Sequence, residues 1–570
     1  MIIFYKKSPT LIIIILLFIF SLNIFIFSIL LNNYSSSIII EWPLIIINAS
    51  IVNLPVFFDP QGLLFSSAVC FISGNVIIFS NLYISTEKFI SRFIHLVLLF
   101  IISINLLIFI PNIIFILLGW DGLGLISFLL VIYYHNNSSL AAGLITAFTN
   151  RIGDVLILLR ISLIIYQGQW SLLTTLHNPS RLVIFLIIVA AITKSAQIPF
   201  RRWLPAAIAA PTPVSALVHS STLVTAGVFL IYRFYPVINI YKLFNPILFI
   251  IGSITIFIAG TAAIVETDIK KIIALSTLSQ LGVIISTLGL GLPKLAFFHL
   301  ITHALFKALL FICAGTLINF HNHSQELRGI GNIITQIPLI NISLFSANLA
   351  LCGAPFMAGF YSKDLIIETI LFSFPNIIIY LIFILATTLT AAYSSRFTIL
   401  VIISEPISSS VNPLNDSSLW LTSATLILSL GAISIGSLIS WFFIYPILEP
   451  ILMFKDKIFA MASTFLGIIL GWKIAKKSFV PWALSFKLFS FIFSSIWIIK
   501  NISTQLIINP PISFAKKSLS IIDQGWYEIY GPQILINSLY IYSSTILSIN
   551  KISLITLIAM SLIAPFWLIF

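Results

Sequence analysis

Runs of about 18–25 apolar residues, parted by short polar breaks, recur along nearly all of this 570-residue chain. An α-helix of that length crosses a ~30 Å hydrocarbon core, whereas barrel strands would show ~10-residue alternating segments, which do not dominate here. With 59% hydrophobic and 8% charged residues, a water-facing surface could not cover the apolar content. The chain therefore reads as an all-α polytopic membrane protein. About 15 spans are expected, near 10–32, 61–83, 90–110, 112–134, 141–166, 181–210, 213–235, 246–265, 268–290, 293–319, 334–373, 376–403, 418–444, 457–475 and 552–570. Two are longer than a bilayer requires and carry internal breakers: Pro199 and Pro205 in 181–210, and Gly353, Pro355 and Gly359 in 334–373. Broken helices at membrane depth line polar cavities in transporters. The first run, preceded by Lys6 and Lys7, is too long for a signal-peptide core and reads as a retained helix.

A net charge of +13 arises from Lys and Arg scattered over short loops, which suits topology and anionic lipid and gives no basic patch for nucleic acid. Cys70, Cys313 and Cys352 lie in apolar runs without metal-ligand or disulfide spacing and read as packing residues. Nothing resembles a Walker loop, a dinucleotide fingerprint, a haem motif or an iron–sulfur cysteine run, so no redox cofactor is expected in this chain.

The few charges that interrupt apolar runs carry the functional argument. A charge at bilayer depth costs at least ~2.5–3.5 kcal/mol and is retained for a reason. Asp121 sits in LLGWDGLGLISFLL among Gly119, Gly122 and Gly124, Lys194 in IIVAAITKSAQIPF just before the Pro199 break, and Lys363 beside Asp364 in FMAGFYSKD at the second break. A lone buried Lys194 needs an acidic partner to stay charged, and Asp121 is the expected one; a static ion pair and a snorkelling lysine are the bland alternatives. His299, His303 and Lys307 recur at i, i+4, i+8, placing three titratable groups on one helix face over ~12 Å. A His pair at that spacing can hold a metal, but no third ligand lies nearby, and a proton relay fits better. His219 follows a second Pro-rich stretch with Ser215, Ser220, Ser221, Thr222 and Thr225, hydroxyls that could hold water beside it; a satisfied core histidine is equally open. Arg151 and Asp154 stand at i, i+3 and can pair. Asp268 suits a helix N-terminus, while Lys270 and Lys271 read as loop charges.

In order over residues 115–365 stand LLGWDGLGLISFLL, TNRIGD, KSAQIPFRRWLP, APTPVSALVHSSTLVTAGVFLI, TDIKKIIALSTLSQLG, FHLITHALFKALLF and GFYSKD. This series resembles the antiporter-like membrane subunits of NADH:ubiquinone oxidoreductase, respiratory complex I. The resemblance implies an antiporter-like fold with two broken helices and a C-terminal lateral amphipathic helix. It implies N-terminal helices over 1–110, a proton-translocating core over 111–403, further membrane helices over 404–479, a lateral interfacial helix over 480–551 and a final span over 552–570. It assigns Asp121 and Lys194 to a charge couple with Arg151 and Asp154 beside it, His219, His299, His303 and Lys307 to a central relay, and Lys363 to a proton gate. Aspartate at 121, where the family often has glutamate, shortens the reach toward Lys194 by one methylene. One span precedes the FFDP segment where the family commonly has two, which would place Lys6 and Lys7 on the matrix side. The resemblance further implies the mitochondrial inner membrane, partner membrane and accessory subunits including a neighbouring antiporter-like chain, and lipid contacts including cardiolipin. FMN, iron–sulfur clusters, NADH and ubiquinone would be handled elsewhere in the complex. A subunit of a multi-subunit cation/proton antiporter is the competing expectation.

Overall fold

The structure is a computed structural model, and it describes residues 2–47, 50–85, 87, 89–166, 180–321, 323–373, 377–405, 418–444, 450, 453–476, 493 and 505–567. It falls into two units, Met1–Trp497 and Ile498–Phe570.

In the first unit, α1 (Ile2–Asn33) leads into an antiparallel hairpin of Ile38–Ile47 and Ser50–Phe58. Then follow α2 (Pro60–Tyr83), α3 (Ile90–Phe109), α4 (Ile113–Val131), α5 (Asn137–Tyr166), α6 (Arg181–Lys194), α7 (Thr212–Arg233), α8 (Phe244–Val265), α9 (Ile269–Gly289), α10 (Pro293–Phe320) and α11 (Pro338–Cys352). A π-helical turn, Phe360–Asp364, opens α12 (Leu365–Ser373), and α13 (Ile377–Thr398), α14 (Leu419–Ile439) and α15 (Phe454–Lys476) complete the unit. One helix precedes the hairpin, as the hydropathy predicts.

Local chemistry fixes the helix ends. Proline stands at the first turn of α2, α10 and α11, where its missing N–H costs nothing. Ser180 caps α6 by accepting from the Val183 amide, and Asn112 caps α4 through Ile114. Gly353, at φ +87°, ends α11 with Ala354 donating back to the Leu349 carbonyl. Gly359 closes that break by lying against the Ala350 carbonyl, so close that no Cβ fits.

Twelve described helices are long and apolar enough to cross a membrane. Three of the expected spans fall outside that set for physical reasons. α5 carries Arg151, Asp154 and Arg160, and the other two are the broken spans, whose halves α6 and α11 are short. The most apolar stretches of α7, α9 and α10 are covered by protein throughout, while those of α1, α14 and α15 are mostly uncovered. Uncovered side chains such as Leu118, Leu125, Phe148, Val155, Leu426 and Leu430 are apolar, as a lipid-facing surface requires, while Lys194, His219, His299, His303, Lys307 and Lys363 are inside. α8 and α9 touch backbone to backbone, with Gly252 against the Gly282 carbonyl.

The second unit runs as α16 (Leu506–Ser518, containing Pro510 and Pro511), two π-helical stretches (Leu519–Tyr527 and Ile529–Gln533) and α17 (Ile534–Trp567). α17 passes through 551/552 without a break, so a separate final span beginning at 552 is not marked in the backbone. An unbroken helix can pass from interface to hydrocarbon depth because it satisfies its own backbone groups throughout. Most of the expected lateral region between 480 and 504 lies outside the described residues.

Candidate functional site

Lys194 is the last residue of α6, where the helix gives way ahead of Pro199. Its neighbours are crowded against it. Gly227 of α7 lies against the Ala191 carbonyl and the Lys194 Cβ, and Gly153 of α5 lies against Thr193. The fully buried ammonium donates to the Trp120 carbonyl at 2.6 Å and stands 3.7 Å from the centroid of the Trp120 ring. Asp121 does not pair with it. Asp121 instead meets Arg151 at 3.0 Å, and Arg151 also meets Asp154 at 3.3 Å. The expected Asp121–Lys194 bridge is thus replaced by a three-member cluster. The α4 turn offers Lys194 the carbonyl and ring of Trp120, while Asp121, partly exposed, faces α5. Trp120 stands against both groups, its indole N–H donating to Asp154 at 2.8 Å.

His219 lies in a π-helical segment, Ser215–Thr222, and is buried with its ring 6.3 Å from that of Trp203. The Trp203 indole donates to the Thr193 carbonyl, next to Lys194. The hydroxyls around His219 do not serve it. Ser215, Ser221, Thr222 and Thr225 each donate to a backbone carbonyl of their own helix, Thr222 reaching back five residues to Leu217. Lys270 is not a loop charge: it is buried and donates to the Ala210 carbonyl in the first break. It also lines a cavity of about 490 Å³ with Tyr83, Glu87, Tyr134 and His323.

α9 and α10 run side by side, and the titratable stripe of α10 meets a polar stripe of α9. His299 shares a 3.1 Å hydrogen bond with the Gln280 amide oxygen, and Lys307 donates to Ser276 at 2.6 Å. His303 stands between them, its ring 6.5 Å from that of His299 and edge-on to Phe306. The other nitrogen of His299 meets Ser362 at 3.0 Å, and Ser362 also contacts Thr302 at 3.1 Å. With the Gln280 oxygen toward the ring, Nε2 donates and Nδ1 accepts from Ser362. Lys363, the next residue along the π-turn, donates to Thr390 at 2.9 Å and to the Leu351 and Cys352 carbonyls at the end of α11.

The structure therefore groups the predicted residues into two clusters: Asp121, Arg151, Asp154 and Lys194 on α4–α6, and His299, His303, Lys307 and Lys363 on α10 and the second break. His219 stands beside Trp203 on the side of the first. Trp120, Trp203, Ser276, Gln280, Ser362 and Thr390 complete the site without having been singled out from sequence. Ser276 and Gln280 at i, i+4 within an apolar helix, and Ser362 beside Lys363, were the available signals.

Interrupted spans with lysines and histidines gathered in a protein-covered interior define an antiporter-like membrane protein. The family model described as NADH:quinone oxidoreductase/Mrp antiporter, TM, matches residues 111–390, and that described as NADH dehydrogenase subunit 5 C-terminus matches 393–570. The fold resembles a chain in the structure of the Mrp complex from Dietzia sp. DQ12-45-1b, with a TM-score of 0.73 at 22% identity, over 94% of this chain and 63% of that one. NADH-ubiquinone oxidoreductase chain 5 of Lumbricus terrestris is 45% identical over 88% of each chain. The Locusta migratoria protein is 46% identical over 91% of each, and the Felis catus protein 36% identical over 77% of this chain and 74% of its own. The chain belongs to the NADH-ubiquinone oxidoreductase chain 5 family.

Proposed function

We propose that this chain is a proton-translocating membrane subunit of NADH:ubiquinone oxidoreductase, working in the mitochondrial inner membrane beside other membrane subunits. Electron transfer from NADH to ubiquinone through FMN and iron–sulfur clusters takes place in other chains. Cardiolipin headgroups suit the Lys473 and Lys476 end of α15, where Lys476 lies over Trp472.

One observation carries this reading. Among the described residues, Lys194, Lys307 and Lys363 are buried and make no salt bridge, each being held by hydroxyl or carbonyl oxygens. A lysine in such a site can release a proton and regain it without breaking an ion pair. Redox chemistry elsewhere shifts the Asp121–Arg151–Asp154 cluster, Lys194 loses or gains its proton, and the change passes by His219 to α10. On α10, His299, His303 and Lys307 follow one another at steps of about one helical turn, and Ser362 joins His299 to the Lys363 turn. Moving one proton against ~100 mV costs ~2.3 kcal/mol, which a modest rearrangement of buried charge can supply. Lys194→Met in the assembled complex should leave NADH oxidation running and lower the protons moved per electron. A wild-type ratio in that variant would refute the assignment.

The fold shared with an Mrp chain favours a second reading, a subunit of a cation/proton antiporter complex. The match over 393–570 favours the first. Sodium-dependent proton movement that persists without NADH or ubiquinone would reverse that preference.

A further inference from the structure

Trp120 uses each of its polar features on a charged group. It is fully buried. Its backbone carbonyl and ring face both hold the Lys194 ammonium, at 2.6 Å and 3.7 Å, while its indole N–H binds Asp154 Oδ1 at 2.8 Å. Lys194 and Asp154 thus lie on one indole, one over its face and the other at its edge. The other oxygen of Asp154 meets Arg151, which also holds Asp121. The seat is tight: a Cβ on Gly153 would stand 3.5 Å from the ring and against the Thr193 hydroxyl. A hydrogen bond to a carboxylate polarises the indole and strengthens the pull of its face on a cation.

We propose that Trp120 is the positioning residue through which the Asp154–Arg151–Asp121 cluster controls Lys194, so that Lys194 responds more strongly to Asp154 than to Asp121. This rests on the reading of Lys194 as a proton carrier given above. When Arg151 leaves Asp154, the carboxylate and the indole shift together, and the contact of the ring face with the ammonium loosens.

The test uses the assembled complex in inner-membrane vesicles, with proton uptake per electron normalised to the complex present on native gels. Trp120→Phe keeps an aromatic face and the backbone carbonyl and removes the N–H donor together with the five-membered part of the ring. The ratio should fall about 2-fold or more, Asp154→Asn should lower it similarly, and the double variant should be no worse than Asp154→Asn alone. Multiplying losses, or a wild-type ratio in Trp120→Phe beside a deficient Lys194→Met, would overturn the proposal while leaving the role of Lys194 intact. A wild-type ratio in Lys194→Met would overturn both. A second arm leaves Trp120 untouched: Asp154→Asn should cost about 3-fold more than Asp121→Asn. Equal losses would overturn the proposal.

Discussion

Lys307 and Lys363 show how much a single hydroxyl can decide. Lys307 donates to Ser276 and Lys363 to Thr390, and a neighbouring hydroxyl, Ser362, joins His299 to Thr302. Removing one such oxygen leaves a buried polar group unsatisfied, at ~1–3 kcal/mol. Ser362→Ala is therefore expected to slow proton movement about 10-fold, with NADH oxidation by the complex falling only where pumping limits it; measuring both rates in the same vesicles checks this. Gln280→Leu, which deprives His299 of its acceptor, should act in the same direction. A different residue pair bears on stability alone. Arg233 binds Asp59 through two bonds of 2.8 and 2.9 Å and also donates to the Ile108 carbonyl, tying α7 to the end of the hairpin. Arg233→Met leaves Asp59 buried without its counter-ion and should destabilise the unit by ~3–5 kcal/mol. Thermal unfolding of the detergent-solubilised complex would register the loss.

The two interruptions are where element geometry and chemistry meet. The first ends α6 on Lys194; the second ends α11 at Gly353 and resumes at Phe360, placing Lys363 in the first turn of the returning helix. Gly359→Ala drives a methyl into the Ala350 carbonyl and Gly353→Ala only strains a left-handed residue. The first should abolish assembly and the second should lower it mildly, by ~1–2 kcal/mol, a contrast that native-gel quantitation can read. Helix positions and both breaks were legible in the sequence, because hydropathy, proline and glycine act through the chain's own neighbourhood. The partners of the buried charges were not. Which carboxylate Lys194 meets depends on the rotation of α4, α5 and α6 about one another. That rotation is set by Gly153 against Thr193 and by Gly227 against Ala191, information spread over four helices. Lys270 misled for a related reason: at the first turn of α9 it has the look of a loop residue, yet the first break folds over it.

At the scale of the molecule, residues 1–497 form a unit with a continuous apolar core extending from α1 to α14, while residues 498–570 form a unit of their own. A chain ended after residue 497 is expected to insert its helices and resist carbonate extraction, since its core is self-contained. The second unit keeps apolar residues from Ile508 to Ile563 uncovered within itself, a surface that suits lipid or other chains. Its removal should therefore show as loss of assembled complex on native gels and not as loss of the inserted chain.

The π-helical stretch of α7 has a consequence for how this gene can vary in length. A π-turn is an α-helix holding one surplus residue, so each residue beyond Thr222 is set back by about 100° and about 1.5 Å relative to its place in an unbulged helix. Deleting one residue other than His219 between Ser215 and Thr222 would erase the surplus and leave Phe229 and Arg233 facing Phe65 and Asp59, their present neighbours. Deleting a residue between Thr222 and Phe229 instead would leave the surplus in place and turn both away. This helix should therefore tolerate a single deletion inside its π-helical stretch and reject one beyond it, which a scan of one-residue deletions across 212–233, scored by assembly, would reveal.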